Sequence, residues 1–411
     1  MKQLFERRGV LRLAALAASA AIAYGAGGAT ASHAQDRSSV KIGYAVSKTG
    51  VNAAGAGVTT IPNYKLWVDD VNKAGGLKLP DGSQLPIEIT EYDDRSAAEE
   101  AVRAIERLAT QDKVDFILPP WGTGFNLAIA PLMDRLGYPQ LAVTAVTDKA
   151  PEFAARWKKS FWLLGGGSDY AKSLAGVMAT ARDAGTINNK VAMISVADGF
   201  GIDLVNGARP ALTEAGFELA YDKTYPLGTT DFGTLVNEAQ ASGTDTFIAF
   251  SYPPGSFALT KQAQVVSFNP KVFYLGVGVA FPIYPKMNDG NVEGVMSLGG
   301  VDTGSEEIAS YFERHTALNG QPPDSWASAV TYASLQMLQQ AIERKGLDRD
   351  AVSQELSSGE FDTILGMIRM EDNQLRTLWW TGQWQDGKFV AIAPADRDGA
   401  GEAVIPKPAW K

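Results

Sequence analysis

The sequence contains no cysteine and only two histidines. Without a thiol the chain forms no disulfide, offers no thiolate nucleophile and has no cysteine ligand for a metal. His315 is the one histidine beyond residue 34, and a single imidazole cannot partner both a catalytic nucleophile and a metal. These shortages leave little room for covalent or metal-dependent catalysis.

Basic residues are also scarce relative to acidic ones. The chain has 37 Lys and Arg against 46 Asp and Glu, a formal net charge of −9. Such a surface repels phosphate backbones and anionic lipid, so nucleic acid and membrane surfaces are poor candidates for partners. Beyond the first 34 residues, no segment has the ~18 uninterrupted apolar residues that span a bilayer.

The first 34 residues have the layout of an export signal. Arg7-Arg8 precedes an apolar, alanine-rich run over residues 10–31, and Ser32-His33-Ala34 supplies small residues for a cut after Ala34. The paired arginines fit a twin-arginine signal, and the general secretory route stays open. No cysteine follows the run, which argues against a lipid anchor. We therefore expect a mature protein of 377 residues, free in the periplasm, with a net charge of −12.

Strand and helix patterns alternate along the rest of the chain. Between Lys41 and Pro131, three strand patterns each run into a turn, and the second half repeats this order. Its buried strand patterns cover Lys190–Val196, Thr246–Phe250 and Val272–Leu275. Such alternation requires parallel sheets covered on both faces. We therefore predict an α/β protein with two doubly wound lobes, long enough for two domains.

Two local patterns give further predictions. One long helix follows the first turn and ends in Asn72-Lys73-Ala74-Gly75-Gly76. Glycine and proline recur in residues 397–411, which predicts a loosely held tail.

Four motifs follow one another in a recognisable order: Thr49-Gly50, Asn72 to Gly76, Tyr92-Asp93-Asp94-Arg95-Ser96, and Leu127-Ala128-Ile129-Ala130-Pro131. With matching pieces to about residue 390, they resemble the type I periplasmic solute-binding proteins of the branched-chain amino-acid (leucine/isoleucine/valine) ABC transporters. The resemblance implies a substrate-binding component that delivers a small solute to a membrane permease with its ATPase subunits. We expect it to be a monomer without a cofactor.

The resemblance also implies two Rossmann-like lobes joined by a three-strand hinge. Lobe 1 would hold residues 35–164 and 300–372, and lobe 2 would hold residues 165–299 and 373–411. The chain would cross between lobes near Leu164–Gly167, Met296–Gly300 and Glu371–Gln374. Ligands of open α/β sheets bind outside the carboxyl ends of the strands, so the site is expected in the cleft between the lobes.

The turn Trp121-Gly122-Thr123-Gly124 supplies the first candidate ligand residues. By resemblance, Thr123 takes the place of a serine hydroxyl that meets the solute carboxylate. A hydroxyl and free backbone N–H groups at a helix start suit an anion, although an N-cap role for Thr123 stays open. Trp121 directly follows two prolines at a strand end, so we expect contact with a flat or apolar ligand.

Five further candidates lie in other turns. Ala145 and Thr147 match a family turn that offers a carbonyl and a hydroxyl, in an uncertain register. Phe200 and Tyr252 take aromatic places in lobe 2, where sealing the core is the alternative role. Lys48 would either neutralise a ligand carboxylate or be solvated.

The place of Gly278 bears on the solute. Relatives that bind α-amino acids put a glutamate there, just after the strand Val272–Leu275, to meet the ligand ammonium. A glycine leaves room and leaves the ammonium unpaired at a high desolvation cost, so an aromatic or apolar carboxylate is favoured. A slip in register, or Asp169 or Asp198 in place of that glutamate, would keep an amino acid as the solute. Other aromatic residues expected near the cleft are Phe125 and Phe281.

Enzymatic alternatives find little support in the sequence. The run from Gly276 to Phe281 begins like a dinucleotide fingerprint but has phenylalanine where the third glycine is required. No Gly-x-Ser-x-Gly elbow is present. Asp93 and Asp94 point to opposite faces of an extended chain, so we predict loop hydrogen bonds and no metal pair. We expect His315 on a helix surface. The prediction is a binding protein and not an enzyme. Two alternatives stay open: a ligand-sensing domain of the same fold, and a hydrolase that uses carboxylates not paired in the sequence.

Overall fold

The structure, a computed structural model, describes residues 37–411. The predicted export signal, its twin-arginine motif and the cut after Ala34 therefore lie outside the described residues. The strands are β1 (Val40–Val46), β2 (Leu77–Lys78), β3 (Gln84–Leu85), β4 (Ile87–Asp93), β5 (Phe116–Leu118), β6 (Gln140–Ala142), β7 (Ser160–Trp162), β8 (Lys190–Val196), β9 (Glu218–Tyr225), β10 (Thr246–Phe250), β11 (Val272–Leu275), β12 (Met296–Leu298), β13 (Glu360–Thr363), β14 (Gly366–Arg369), β15 (Thr381–Gln385) and β16 (Lys388–Ala393).

Helices connect most of these strands. They are α1 (Ala53–Thr59), α2 (Ile61–Lys73), α3 (Ala98–Arg107), α4 (Thr123–Leu136), α5 (Ala150–Arg156), α6 (Gly167–Asp183), α7 (Gly199–Glu214), α8 (Gly233–Ala241), α9 (Pro253–Val265), α10 (Tyr284–Met287), α11 (Glu306–Asn319), α12 (Ala327–Lys345) and α13 (Arg349–Ser358). A π-helical turn, Leu108–Asp112, continues α3. Among residues 37–411, no helix combines the length and apolar character needed to cross a membrane.

The amino-terminal half forms a parallel sheet in the order β4-β1-β5. Ile42 in the central strand pairs with Ile89 on one side and Phe116 on the other. β1 and β5 are buried along almost their whole length, as expected for strands covered on both faces. A second parallel pair, β6 with β7, follows in the chain.

The second half forms a seven-stranded sheet in the order β16-β15-β12-β11-β10-β8-β9. Strands β8 to β12 run parallel, and the hairpin β15-β16 adds two antiparallel strands at one edge. The three buried strands predicted from the sequence have the observed bounds of β8, β10 and β11. The predicted α/β class with parallel sheets is confirmed.

The predicted long helix after the first turn is two helices. α1 ends at Thr59 and α2 begins at Ile61, with Pro62 in its first turn. Proline has no backbone N–H and its ring crowds the preceding turn, so the helix restarts there.

The prediction of a loosely held tail is wrong. The Lys407 side chain is buried, and its ammonium donates to Asn269 Oδ1 at 2.6 Å. The Trp410 indole donates to the carbonyl of Phe268 at 2.7 Å and packs edge-on against Phe273. A few side-chain contacts thus hold a segment whose glycine and proline content indicated none.

Late elements of the chain divide between the two halves. Helices α11 and α12 pack against α2, whereas β15 and β16 join the seven-stranded sheet. Trp162 hydrogen-bonds residues 373 and 375, and the N–H of Gly299 donates to the carbonyl of Trp380 at 3.1 Å. The predicted crossing segments Glu371–Gln374 and Met296–Gly300 therefore each hydrogen-bond to a distant part of the chain. The lobe boundaries themselves stay a prediction.

Candidate functional site

The loops after six parallel strands converge on one small cavity. They follow β5, β6, β7, β8, β10 and β11, and α1 and the start of α12 complete the wall. The lining residues are Thr59, Trp121, Gly122, Thr123, Thr144, Val146, Leu164, Phe200, Tyr252, Val277, Trp326 and Ala327. The enclosed volume is about 20 Å³, roughly the space for one water molecule. The site therefore lies at the carboxyl strand ends, as expected for this fold class, and its own side chains nearly fill it.

Three aromatic rings form one wall of this cavity. Trp121, from the amino-terminal half, lies against Tyr252 with ring centroids 5.3 Å apart and planes tilted by 53°. Phe200 also stacks on Tyr252, with ring centroids 5.1 Å apart and planes tilted by 24°. The Tyr252 hydroxyl donates to Asp198 Oδ2 at 2.7 Å, and burial raises its pKa well above the usual value. The tyrosine therefore keeps its proton and is fixed in place.

The start of α4 forms the polar side of the cavity. Gly122 adopts a left-handed φ of 99° ahead of the helix, and its N–H donates to Thr144 Oγ1 at 3.0 Å. Helix geometry leaves the N–H groups of Thr123, Gly124 and Phe125 without acceptors inside the helix. The start of α7 faces them, because a Cβ placed on Gly199 would lie 3.9 Å from the Gly124 nitrogen.

Thr123 is not the N-cap of α4, since Gly122 holds that position and no side chain caps the helix. Its buried hydroxyl instead accepts the N–H of Val146 at 3.1 Å. Within residues 37–411, the one acceptor near its proton is the Val146 carbonyl at 3.5 Å, a weak geometry. The hydroxyl proton is therefore available to a stronger acceptor in the cavity.

The turn after β6 enters the site one residue away from the expected register. Thr144 and Val146 line the cavity, whereas Ala145 packs with Ala142, Ala150 and Trp162. The Thr147 hydroxyl accepts the N–H of Lys149 at 3.2 Å and does not line the cavity. Neighbouring residues of an extended segment point to opposite sides, so a shift of one residue exchanges the two sets.

Two more predicted ligand residues lie outside the cavity wall. The exposed Lys48 ammonium pairs with Glu91 Oε1 at 2.6 Å. Gly278 has a left-handed φ of 109°, and a Cβ placed on it would lie 2.8 Å from the Pro253 Cα. The expectation that Gly278 leaves room for a solute is therefore wrong, because Pro253 already occupies that space.

The remaining candidates, two phenylalanines and two aspartates, lie outside the cavity wall. Phe125 and Phe281 do not line the cavity. Asp198 caps α7 through Oδ1, which accepts the N–H of Gly201 at 3.0 Å, so both of its oxygens have partners. Asp169 is half-buried in the first turn of α6.

The lining residues that were not predicted include Thr59 at the end of α1 and Trp326 at the start of α12. Trp326 follows Pro322-Pro323 closely and precedes a long helix, which is the signal that identified Trp121. Its indole N–H donates to the Tyr170 hydroxyl at 3.0 Å. The buried Asp324 holds the backbone of Trp326 through an N–H bond of 2.9 Å. Burial raises the pKa of Asp324 to about 6.

Two predictions about isolated residues have clear outcomes. Asp93 accepts the N–H groups of Lys48 and Arg95, both at 2.9 Å, and Asp94 accepts that of Ser96 at 2.9 Å, so their structural role is confirmed. The expected surface position of His315 is wrong. It is 1% exposed, its Nδ1 lies 3.0 Å from the Gln321 carbonyl, and its buried Nε2 has no partner in the part of the chain that the structure describes.

The fold and the strand-end cavity define a binding protein with an α/β fold. A family model described as periplasmic binding protein matches residues 39–388, and the chain belongs to that family, in the type I branch related to branched-chain amino-acid binding. Its relatives are solute-binding proteins of ABC transporters, and it is accordingly not an enzyme.

Individual relatives are distant. A Leu/Ile/Val-binding protein homolog 7 from Brucella abortus is 23% identical over 355 residues, covering 80% of this chain and 85% of the relative. A solute-binding protein from R. palustris, solved in complex with benzoate, superposes with a TM-score of 0.75 at 17% identity, covering 89% of this chain and 99% of that one. LivJ from Streptococcus pneumoniae, solved with isoleucine, gives 0.72 at 20% identity, covering 85% and 97%.

Proposed function

We propose that this protein is the solute-binding component of an ABC importer and that its solute is a small carboxylate with an aromatic or apolar body. The observation that carries the proposal is the composition of the cavity wall. Its twelve residues include three large aromatic rings besides Trp326 and three threonines, and none has a charged side chain.

The carboxylate would bind at the start of α4. Unpaired N–H groups and the partial positive charge of a helix start favour an anion. Thr123 adds a hydroxyl whose proton has only a distant acceptor. The start of α7 faces the same space, but the Asp198 carboxylate already caps it, so the anion site is assigned to α4 alone.

The body of the solute would bind among Trp121, Phe200 and Tyr252. Indole and phenol faces pack well on flat or apolar groups. An α-amino acid would bring an ammonium into this wall, where no carboxylate lines the cavity. Asp198 lies behind Tyr252 with both oxygens already bonded, so it is poorly placed to pair with the ammonium.

Binding would require the predicted lobes, residues 35–164 with 300–372 and residues 165–299 with 373–411, to separate and close again. A space of about 20 Å³ is too small for an aromatic acid, so Trp121 and Tyr252 must part to admit one. We propose that the protein does so as a monomer and presents the closed, loaded form to a permease with its ATPase subunits. Contacts near the crossing segments support closure about a hinge there.

A branched-chain amino acid is the second candidate. It is favoured by the Leu/Ile/Val-binding name of the Brucella relative and by the isoleucine in LivJ. The benzoate bound to the R. palustris protein favours the aromatic acid.

A thermal-shift panel tests the choice, because a bound solute raises the melting temperature by mass action. Benzoate, 4-hydroxybenzoate and phenylacetate are expected to raise it, and leucine, isoleucine and valine to leave it unchanged. The reverse pattern would establish the amino-acid alternative. No response to either group, together with no small molecule released from the purified protein on denaturation, would contradict solute binding.

A further inference from the structure

Gly55, in the middle of α1, lies directly under the indole of Trp121. A Cβ placed on Gly55 would lie 2.2 Å from Cζ2, 2.5 Å from Cε2 and 2.7 Å from Cη2 of that ring. Real Cβ atoms essentially never come this close to a non-bonded atom, so a side chain at position 55 would force the ring or the helix to shift. The indole therefore occupies the space that any other residue at position 55 would fill.

Packing alone sets the position of this indole. Among residues 37–411, no group accepts a hydrogen bond from the Trp121 N–H. Among the described residues, the indoles of Trp67, Trp162, Trp326, Trp384 and Trp410 each donate to a named acceptor, whereas those of Trp157, Trp379 and Trp380, like that of Trp121, do not. The Trp121 ring packs against Gly55, and its centroid lies 5.3 Å from that of the Tyr252 ring.

The face of α1 that carries Gly55 also reaches the cavity. Thr59 lies one turn later on the same face, lines the cavity and donates its hydroxyl to the Gly55 carbonyl at 3.0 Å. Glycine inside a helix costs about 1 kcal/mol relative to alanine, so α1 is less stable than it would be with alanine there. The close approach of the indole gives a physical reason for that residue.

We infer that Gly55 is a positioning residue that sets the size of solute the site accepts, by seating the Trp121 indole back against α1. The inference rests on the proposed function in that it places the solute body against Trp121. A methyl group at position 55 would push the indole toward Tyr252. The space between the rings would shrink, and a ring-sized solute would lose more affinity than a short one.

The chain supplies its own control, because Gly57 lies two residues further along α1 and a Cβ placed on it would meet nothing within 4 Å. Gly55→Ala and Gly57→Ala make the same change in helix propensity, and only the first touches Trp121. Two probes with the same carboxylate, benzoate and propionate, are titrated calorimetrically against both variants and the unmodified protein. We expect Gly55→Ala to weaken benzoate about tenfold or more and propionate less than about threefold, and Gly57→Ala to change neither ratio.

A second substitution separates displacement of the Trp121 indole from a general disruption of the site. Phenylalanine at position 121 lacks the indole atoms that meet Gly55, so Gly55→Ala combined with Trp121→Phe should bind benzoate within about threefold of Trp121→Phe alone. Equal losses for both acids, or no rescue in the double variant, would overturn the inference.

A crystal structure of Gly55→Ala gives a readout that needs no solute. The indole should move toward Tyr252 relative to the unmodified protein, and an unmoved indole above a displaced α1 would overturn the inference. If the unmodified protein binds neither benzoate nor propionate, the proposed solute class fails, and the position of the indole still decides the role of Gly55.

Discussion

At the scale of single residues, Thr123 makes the sharpest prediction. Thr123→Ala removes a hydroxyl proton that we assign to the solute carboxylate. A hydrogen bond to a charged partner is worth about 1.5–3 kcal/mol, so affinity should fall roughly ten- to a hundredfold. Thr123→Ser keeps the hydroxyl that accepts from Val146 and should stay close to the unmodified protein. Equal affinity for an acid and its methyl ester would show that no anion binds there.

His315 makes a prediction about stability and pH. Burial lowers its pKa below the ordinary value, and none of the described residues offers its Nε2 an acceptor for a second proton. The unfolded chain, with a histidine pKa of about 6.5, therefore takes up the proton first as pH falls. The free energy of unfolding should drop between pH 6.5 and the lower folded pKa, by at most about 1.4 kcal/mol per pH unit from this group.

Urea denaturation at pH 7.5 and pH 5.5 measures that drop, and His315→Gln provides the reference. Other groups titrate in the same range. Burial raises the pKa of Asp324 to about 6. Protonation of this carboxyl therefore stabilises the folded protein as the pH falls, which is opposite to the effect of His315. These other groups are common to both proteins, so the difference between the two pH dependences isolates His315. Parallel curves for the two proteins would contradict the assignment.

The predicted site residues divide according to what fixes their orientation. Trp121, Thr123, Phe200 and Tyr252 lie within about five residues of a strand end, in a short loop or in the first turn of the next helix, and this position places them at the cavity. In a longer turn, the choice between Ala145 and Thr144 depends on a backbone register that no local pattern determines. Thr59 and Trp326 belong to helices that tertiary packing brings to the cavity. A prediction based on strand ends therefore cannot identify them.

At the scale of elements, two carboxylates connect the turn after β6 to the starts of α6 and α7. Asp203 on α7 accepts the N–H of Asp148 at 3.0 and 3.1 Å and that of Gly167 at 3.0 Å. Asp148 in turn accepts the N–H of Ser168 at 3.0 Å. Burial, with Asp148 nearby, raises the pKa of Asp203 above its usual range. The turn that carries Thr144 and Val146 is thereby fixed to α7, which carries Phe200.

Asp203→Asn should loosen this connection, because an amide offers one acceptor oxygen to N–H groups that now share a carboxylate. We expect a loss of about 1.5 kcal/mol or more in the free energy of unfolding, and weaker solute binding. Asp222→Asn breaks a partly exposed ion pair between Asp222 on β9 and Arg209 on α7, and should cost less than about 1 kcal/mol and leave binding unchanged. Equal effects of the two substitutions would assign no special role to Asp203.

The same scale shows where sequence patterns succeed and fail for the fold. β8, β10 and β11 were predictable to the residue because buried parallel strands are continuous apolar runs between turns. The break between α1 and α2 has a local cause, Pro62, that a helical pattern can hide. The tail is held by Lys407 and Trp410 against residues more than a hundred positions earlier, and such long-range contacts leave no local pattern.

At the scale of the whole molecule, the small cavity implies motion. If the proposed hinge is correct, the solute-free protein must open by more than side-chain movement to admit an aromatic acid. Small-angle scattering should then show a smaller radius of gyration with a saturating solute than without it. An unchanged radius at saturation would count against closure between the lobes.

The charge of the solute gives the last prediction. Twelve residues line the cavity without one ionised side chain, and a helix start supplies compensation for an anion only. A solute ammonium would be buried without a carboxylate, at a desolvation cost of several kcal/mol. Position 278 cannot supply that carboxylate, because Pro253 crowds any side chain there.

Matched pairs of probes measure this cost directly. 3-Phenylpropionate and phenylalanine share one skeleton, as do 4-methylpentanoate and leucine, and each pair differs only by the ammonium. A cost of about 3 kcal/mol corresponds to a preference of roughly a hundredfold for the acid without the ammonium in both pairs. Tighter binding of the amino acids would mean that Asp198 or Asp169 turns into the cleft when it opens. The site would then be zwitterion-binding despite its uncharged wall.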